Sequence, residues 1–205
     1  DSIQSELEKA VYKFCQNECR FHSAGRTDAG VHAKGMISHV DIPGEIEAFK
    51  VMDGLNFHLK GIPISILKSE AVDDNFHARF SAKKRYYRYH IINRRAKLSL
   101  LRNKAWQIKE TLDVVSMHEA AKILIGKHDF TTFRSTSCQS KSPIKTIESI
   151  KITKLMSTYG HEYQFEFCAP SFLHNQVRSL VGTLEKVGSG MWQAEDVKNA
   201  LLAKD

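Results

Sequence analysis

Long apolar runs are missing from this chain. No stretch approaches the ~18 residues that cross a membrane as a helix, so a membrane-embedded role is not expected. Cysteine is scarce: Cys15, Cys19, Cys138 and Cys168 are the only four in 205 residues, and none forms a CxxC pair. Cys15 and Cys19 stand four apart with no histidine pair at finger spacing nearby, which argues against structural zinc and against a disulfide scaffold. Free thiols in a reducing compartment are the expectation. HExxH, Walker and GxGxxG motifs are also missing, so neither a metal nor a nucleotide cofactor is expected. The histidines look scattered, with no ligand spacing among them. No composition-biased segment marks disorder. With 42% apolar residues the chain can build a normal core of one or two domains. The first residue is Asp1 rather than Met, so removal of a targeting peptide is compatible with the sequence.

What the chain has in excess is positive charge. The net charge is +7 and the pI is 9.2, which favours a polyanion, most commonly nucleic acid, over a merely basic soluble protein. Ile3, Leu7, Ala10, Val11 and Phe14 recur at helical spacing, and Asp1 with Gln4 could form a capping box, giving a helix to about Cys15. A polar stretch, His22 to His32, follows. A strand fits 35–41, a helix 45–55, and an alternating strand 64–72. The clearest strand is 84–93, with Arg85, Tyr87, Tyr89 and Ile91 on one face and Tyr86, Arg88, His90 and Ile92 on the other. A helix fits 113–125 and stops at Gly126. Strands at 147–155 and 162–169 precede helices from Leu173 to Val187 and from 194 to 203. Mixed elements in this order predict an α+β fold with helices packed on sheets. The basic, aperiodic segment 94–112 marks a boundary, giving halves 1–95 and 96–205.

Three constellations could carry chemistry. In Gly25-Arg26-Thr27-Asp28-Ala29-Gly30 two glycines bracket a compact turn that can present a carboxylate while Arg26 meets a phosphate. The competing reading is a surface turn with an Asx-type bond from Asp28. Lys83-Lys84-Arg85-Tyr86-Tyr87-Arg88-Tyr89 interleaves cations with rings that can stack on bases, at ~1–3 kcal/mol per base. Ordinary β-propensity with solvated charges explains the same pattern. In Phe172-Leu173-His174-Asn175-Gln176-Val177-Arg178, His174 and Arg178 share a helix face. Arg178 is either a rim cation that pairs with a carboxylate or a snorkelling surface residue.

Taken together these residues resemble the tRNA pseudouridine synthase A family. Residues 25–33 are similar to its most specific signature. Phe76-His77-Ala78-Arg79-Phe80-Ser81-Ala82, running into Arg85-Tyr86-Tyr87-Arg88-Tyr89, is similar to its second. Residues 126–134 with Cys138-Gln139 and Ser142-Pro143 resemble its third, and residues 172–184 its fourth. The four stand in family order between about residues 2 and 188.

The resemblance implies an isomerase that converts uridine to pseudouridine at positions 38, 39 and 40 of the tRNA anticodon stem-loop, without cofactor. It implies a cytoplasmic homodimer of two ferredoxin-like halves forming a mostly antiparallel sheet, helices on one side, around a catalytic cleft. By motif position it assigns the nucleophile to Asp28, active-site roles to Tyr87 and Arg178, and placement of the flipped base to Arg26. Arg85, Arg88 and His174 are expected to meet RNA, and Lys83, Lys84, Arg94, Arg95 and Lys97 to extend the basic track. Family chains usually begin with a strand carrying Tyr-Asp-Gly and end with a further strand. Neither occurs in this sequence, so about one strand is expected to be lacking at each end. Two rival readings are a noncatalytic RNA-binding protein, which would not need the Arg26–Asp28 loop, and a hydrolase with an aspartate nucleophile. The second calls for clustered acidic metal ligands, which are not found near Asp28.

Overall fold

The computed structural model describes residues 2–157 and 160–205. Contacts divide these into two compact units, 1–82 and 83–205. The expected halves, 1–95 and 96–205, put the strand at 84–93 with the N-terminal part, whereas its hydrogen bonds lie within the second unit.

The first unit is built on helices α1 (Ile3–Cys15) and α2 (Ala48–His58) and a two-residue ladder of β1 (His22–Ser23) with β2 (Ser38–His39). Helix α1 follows the sequence reading, and Leu7, Ala10 and Val11 form its buried stripe. Its cap is Ser2, whose side chain accepts the Ser5 N–H at 3.1 Å; the expected capping box involves Asp1, outside the described residues. Helix α2 starts three residues later than periodicity predicts. Gly54 lets it approach α1, because a Cβ there would lie 2.2 Å from the Phe14 ring.

The expected strand 64–72 is not formed. The alternation that suggested it is real, since Ile62, Ile64 and Ile66 all pack on the small core around Leu7, Val11, Leu55 and Leu59. A partner strand is replaced by one side chain: Asn56 Nδ2 donates to the Ile66 carbonyl at 2.9 Å and its Oδ1 accepts the Ile66 N–H at 2.8 Å. The expected strand 35–41 shrinks to β2.

The second unit holds strands β3 (Arg85–Asn93), β4 (Trp106–Ile108), β5 (Gly126–Asp129), β6 (Ile144–Ile147), β7 (Ser149–Ser157) and β8 (Gly160–Ala169). Its helices are α3 (Val114–Leu124), α4 (Gln176–Gly188) and α5 (Ala194–Ala203). The main sheet runs β4-β3-β8-β7, antiparallel except for the β3–β4 pair, and β5 with β6 forms a separate antiparallel pair. Fold class is thus mixed α+β, as expected. Strands β3, β7 and β8 and helices α3 to α5 match their predicted positions within a few residues. Strands β4, β5 and β6 were not anticipated; each is only three or four residues long, too short to show a period.

Alternation along β8 decides where the core lies. Tyr163, Phe165 and Phe167 point to the helices and are at most 1% exposed. They face Ile91, Ile150 and Ile152 from the neighbouring strands and Met117, Leu124, Leu180 and Leu184 from the helices. Burying each such side chain contributes about 1.5–3 kcal/mol. Tyr163 also satisfies a buried backbone: its hydroxyl accepts the Leu112 N–H at 3.0 Å and lies 3.3 Å from the Leu112 carbonyl. Replacing Tyr163 with Phe should leave both groups unpaired and cost about 1–3 kcal/mol. The check is urea unfolding, where the midpoint should fall with an unchanged slope.

Candidate active site

Asp28 and Arg26 lie on the loop that follows β1. The Ala24 N–H donates to the Ile37 carbonyl at 2.8 Å, so the strand pair continues one step beyond its ladder before the loop opens. The loop then makes a tight turn in which the Asp28 carbonyl accepts the Val31 N–H at 3.0 Å. Gly30 occupies the third position of that turn at φ +79°. A type II turn needs a positive φ there, which explains the second glycine of the motif. Asp28 is half-buried and Arg26 exposed.

At β1 and β2 the structure gathers residues that looked scattered in the sequence. The His22 and His39 rings stack at 5.1 Å, and His77 meets His39 at 4.6 Å and His22 at 5.8 Å. Phe76 and Phe80 extend the cluster. No pairing rule on sequence spacing links residues 22, 39 and 77; only the β1–β2 register, His22 opposite His39, brings two of them together. Among the described residues no group of histidine, cysteine or acidic side chains is arranged to hold a metal.

The other candidates belong to the second unit. The face of β3 that carries Arg85, Tyr87 and Tyr89 turns inward, as alternation predicts, and Tyr87 and Tyr89 pack against the core. Tyr87 meets the Phe172 ring edge-on at 5.1 Å and 84°. Such a contact fixes the ring plane. Arg85 Nη1 donates to the Pro170 carbonyl at 2.5 Å. One face of β3 therefore runs along the segment that leads into α4.

That segment is held by a reciprocal pair of bonds. The Gln176 side chain, fully buried, accepts the Leu173 N–H at 2.8 Å, and the Gln176 N–H donates to the Leu173 carbonyl at 3.1 Å. Asn175 takes a left-handed conformation, φ +60°, to let the helix start. His174 is exposed; its Nδ1 is 3.1 Å from Ser137 Oγ, and its carbonyl accepts the Ser135 N–H. The third and fourth sequence motifs thus meet at His174. Arg178 is exposed on the first turn of α4, within electrostatic reach of Tyr89. Burial pushes the Tyr89 phenol above its usual range, with the Arg178 guanidinium working against that rise. Tyr89 therefore stays protonated at neutral pH.

Arg88 points to the opposite face. Its Nε and Nη2 both donate to Glu166 Oε1, at 3.0 and 2.5 Å. Beside it His90 Nδ1 is 2.7 Å from Glu162 Oε1, and Lys84 Nζ is 2.6 Å from Glu148. Sequence reading saw the cations of β3 but not their carboxylate partners, which lie about 70 residues away in the chain.

Comparison with known proteins bears on both units. A family model described as tRNA pseudouridine synthase matches residues 120–205. The tRNA pseudouridine synthase A of Parvibaculum lavamentivorans is 49% identical over 204 residues, 100% of this chain and 81% of that protein. The proteins of the same name from Paramagnetospirillum magneticum and Afipia carboxidovorans are 48% and 50% identical, again over 100% of this chain and over 78% and 82% of their own. The chain belongs to the tRNA pseudouridine synthase A family. The family model covers His174 and Arg178 but not the Asp28 loop or β3, which the three relatives do span.

Gly30→Ala should strain the turn and move Asp28. The expectation is a loss of stability of about 1 kcal/mol together with a larger fractional fall in kcat than in substrate affinity. Steady-state kinetics on tRNA, read beside a melting curve, checks both.

Proposed function

We propose that this chain isomerises uridine to pseudouridine in tRNA, at positions 38, 39 and 40 of the anticodon stem-loop, with Asp28 as nucleophile and no cofactor. The observation that carries the reading is a match over the whole chain, at 48–50% identity, to proteins named tRNA pseudouridine synthase A. Charge agrees with it, since a net +7 suits an RNA substrate. On this reading the chain acts as a cytoplasmic homodimer, and each half takes a ferredoxin-like arrangement.

The reaction breaks the C1′–N1 bond of uridine, turns the uracil, joins C1′ to C5 and releases the C5 proton. A base inside a stem is out of reach, so it must first be flipped out, at a cost of a few kcal/mol. Arg26, exposed beside Asp28, is suited to fill the gap or grip the extruded backbone. The Asp28 carboxylate attacks either C1′ or C6. Tyr87, its ring plane set by Phe172, stacks on the uracil and keeps it in place after detachment. Arg178 offsets the charge of Asp28, and Tyr87 and Asp28 are the two candidates for the base that takes the C5 proton. Arg85 and His174 line the RNA side, with Lys83, Arg94, Arg95 and Lys97 extending it. Arg88 and Lys84 take part less, because Glu166 and Glu148 already neutralise them.

Tritium release from tRNA labelled at uridine C5 tests this directly. The parent should release tritium, Asp28→Ala should release none, and Arg178→Ala should lose turnover while still binding tRNA. Full turnover by Asp28→Ala would sink the nucleophile. Single substitutions of Arg95 and Lys97 should each reduce the salt slope of binding by about one unit, and Arg88→Ala by clearly less.

A further inference from the structure

The histidine cluster of the first unit has no place in the chemistry just described, yet it sits where two of the sequence motifs meet. His39 is its centre. Its ring stacks on His22 of β1 and meets Phe76 and His77 edge-on. Its Nδ1 lies 3.1 Å from the backbone nitrogen of Ala78. A backbone N–H can only donate, so Nδ1 must carry a lone pair and His39 must be the neutral tautomer with its proton on Nε2. The same device recurs one residue on, where the Arg79 N–H donates to His77 Nδ1 at 3.2 Å. Ala78 is 2% exposed, so its N–H has little access to water as a substitute partner.

The connections run on to the nucleophile loop. His39 ends β2, and β2 pairs with β1 through His22–His39 and Ser23–Ser38, the latter reinforced by a 2.7 Å contact between the two hydroxyls. Ala24, the next residue, bonds back to Ile37, and the Arg26–Asp28 loop begins there. On the other side, 76–81 forms a closed turn, with the Ser81 N–H on the His77 carbonyl and the His77 N–H on Ser81 Oγ. His39 is therefore a side chain through which this turn is hydrogen-bonded to the strand pair. The rings in contact with it are His22 from β1 and Phe76 and His77 from the turn.

We propose that His39 is a positioning residue for the isomerisation: by accepting the Ala78 N–H on Nδ1 it fixes the 76–81 turn against the strand pair that carries Asp28. The inference rests on Asp28 being the nucleophile. His39 touches no reacting atom; it acts through the seat of the loop. Displacement of a catalytic group by about 1 Å can cost as much as a hundredfold in rate.

Two substitutions separate the hydrogen bond from the ring. His39→Asn keeps an acceptor near the Nδ1 position and loses the stack; His39→Phe keeps the ring and loses the acceptor. On the full chain, His39→Phe should lower kcat roughly tenfold to a hundredfold with KM for tRNA within about twofold. His39→Asn should retain kcat within about threefold of the parent. Phe as active as the parent, or Asn as impaired as Phe, overturns the proposal. Nitrogen NMR of the parent at neutral pH should show His39 Nδ1 without a proton and the Ala78 amide protected from exchange; a proton on Nδ1 overturns it too. If His39→Phe does not fold, the tautomer and the His39→Asn kinetics decide. Turnover by Asp28→Ala would remove the nucleophile reading while leaving the tautomer result standing, so the two failures can be told apart.

Discussion

The pairing of β3 with β8 is the constraint on which most of the second unit depends. Nine residue pairs run from Arg85 opposite Ala169 to Asn93 opposite His161. Because side chains alternate, this register decides at once which residues form the core and which face outward. Tyr87, Tyr89 and Ile91 lie on the side of Phe167, Phe165 and Tyr163, while Arg88 and His90 meet Glu166 and Glu162 on the other. A slip of one residue would bury Arg88 among phenylalanines and expose Tyr87. The identity of Tyr87 as the ring beside Phe172, and of Arg88 as a paired surface cation, follows from this single register.

The same register sorts the positive charge. The outer face of β3 looks strongly basic in sequence, but Arg88 and the preceding Lys84 have carboxylates at 2.5 and 2.6 Å, and His90 lies 2.7 Å from Glu162. Exposed pairs of this kind contribute only about 0–1 kcal/mol to stability. Their larger effect is to reduce the positive field of this face. The segment between β3 and β4 differs. It holds Arg94, Arg95, Lys97, Arg102 and Lys104 with no acidic residue among them. It is also braced, since the Gln107 side chain donates to the carbonyls of Arg94, Arg95 and Ala96 and accepts the N–H of Leu98. A basic loop braced in this way carries a positive field that needs little rearrangement when a polyanion meets it.

What could be read from the sequence follows the length scale of the interactions. Helices α1, α4 and α5 and strands β3 and β8 were legible because each carries its own period over nine or more residues. Residues 64–72 misled because the alternation of Ile64 and Ile66 reports burial, not pairing, and Asn56 supplies the pairing instead. The Asp28 turn was legible through Gly30, whose backbone demand is local. Tyr87 was placed on the correct face by alternation alone. Phe172 as its neighbour, Glu166 as the partner of Arg88 and the meeting of His22, His39 and His77 were not, because each joins segments 17 to 85 residues apart and depends on the tertiary register.

The segments that carry Asp28 and Tyr87, one in each unit, are secured by different physics. Tyr87 sits on a strand held along its full length and backed by a large core. Asp28 follows a ladder of only two residue pairs, and a two-stranded hairpin is marginal in water by itself. Side chains around the ladder add to its backbone bonds: the Ser23–Ser38 contact, the His22–His39 stack and the Ala78 bond to His39. A short ladder held by side chains can let the loop open for a large polyanion and reclose at the cost of a few weak contacts. A long strand could not do so without breaking many backbone bonds together. The Arg26–Asp28 loop is thus seated on the smallest ladder among the described residues, and Tyr87 on the most extensive sheet.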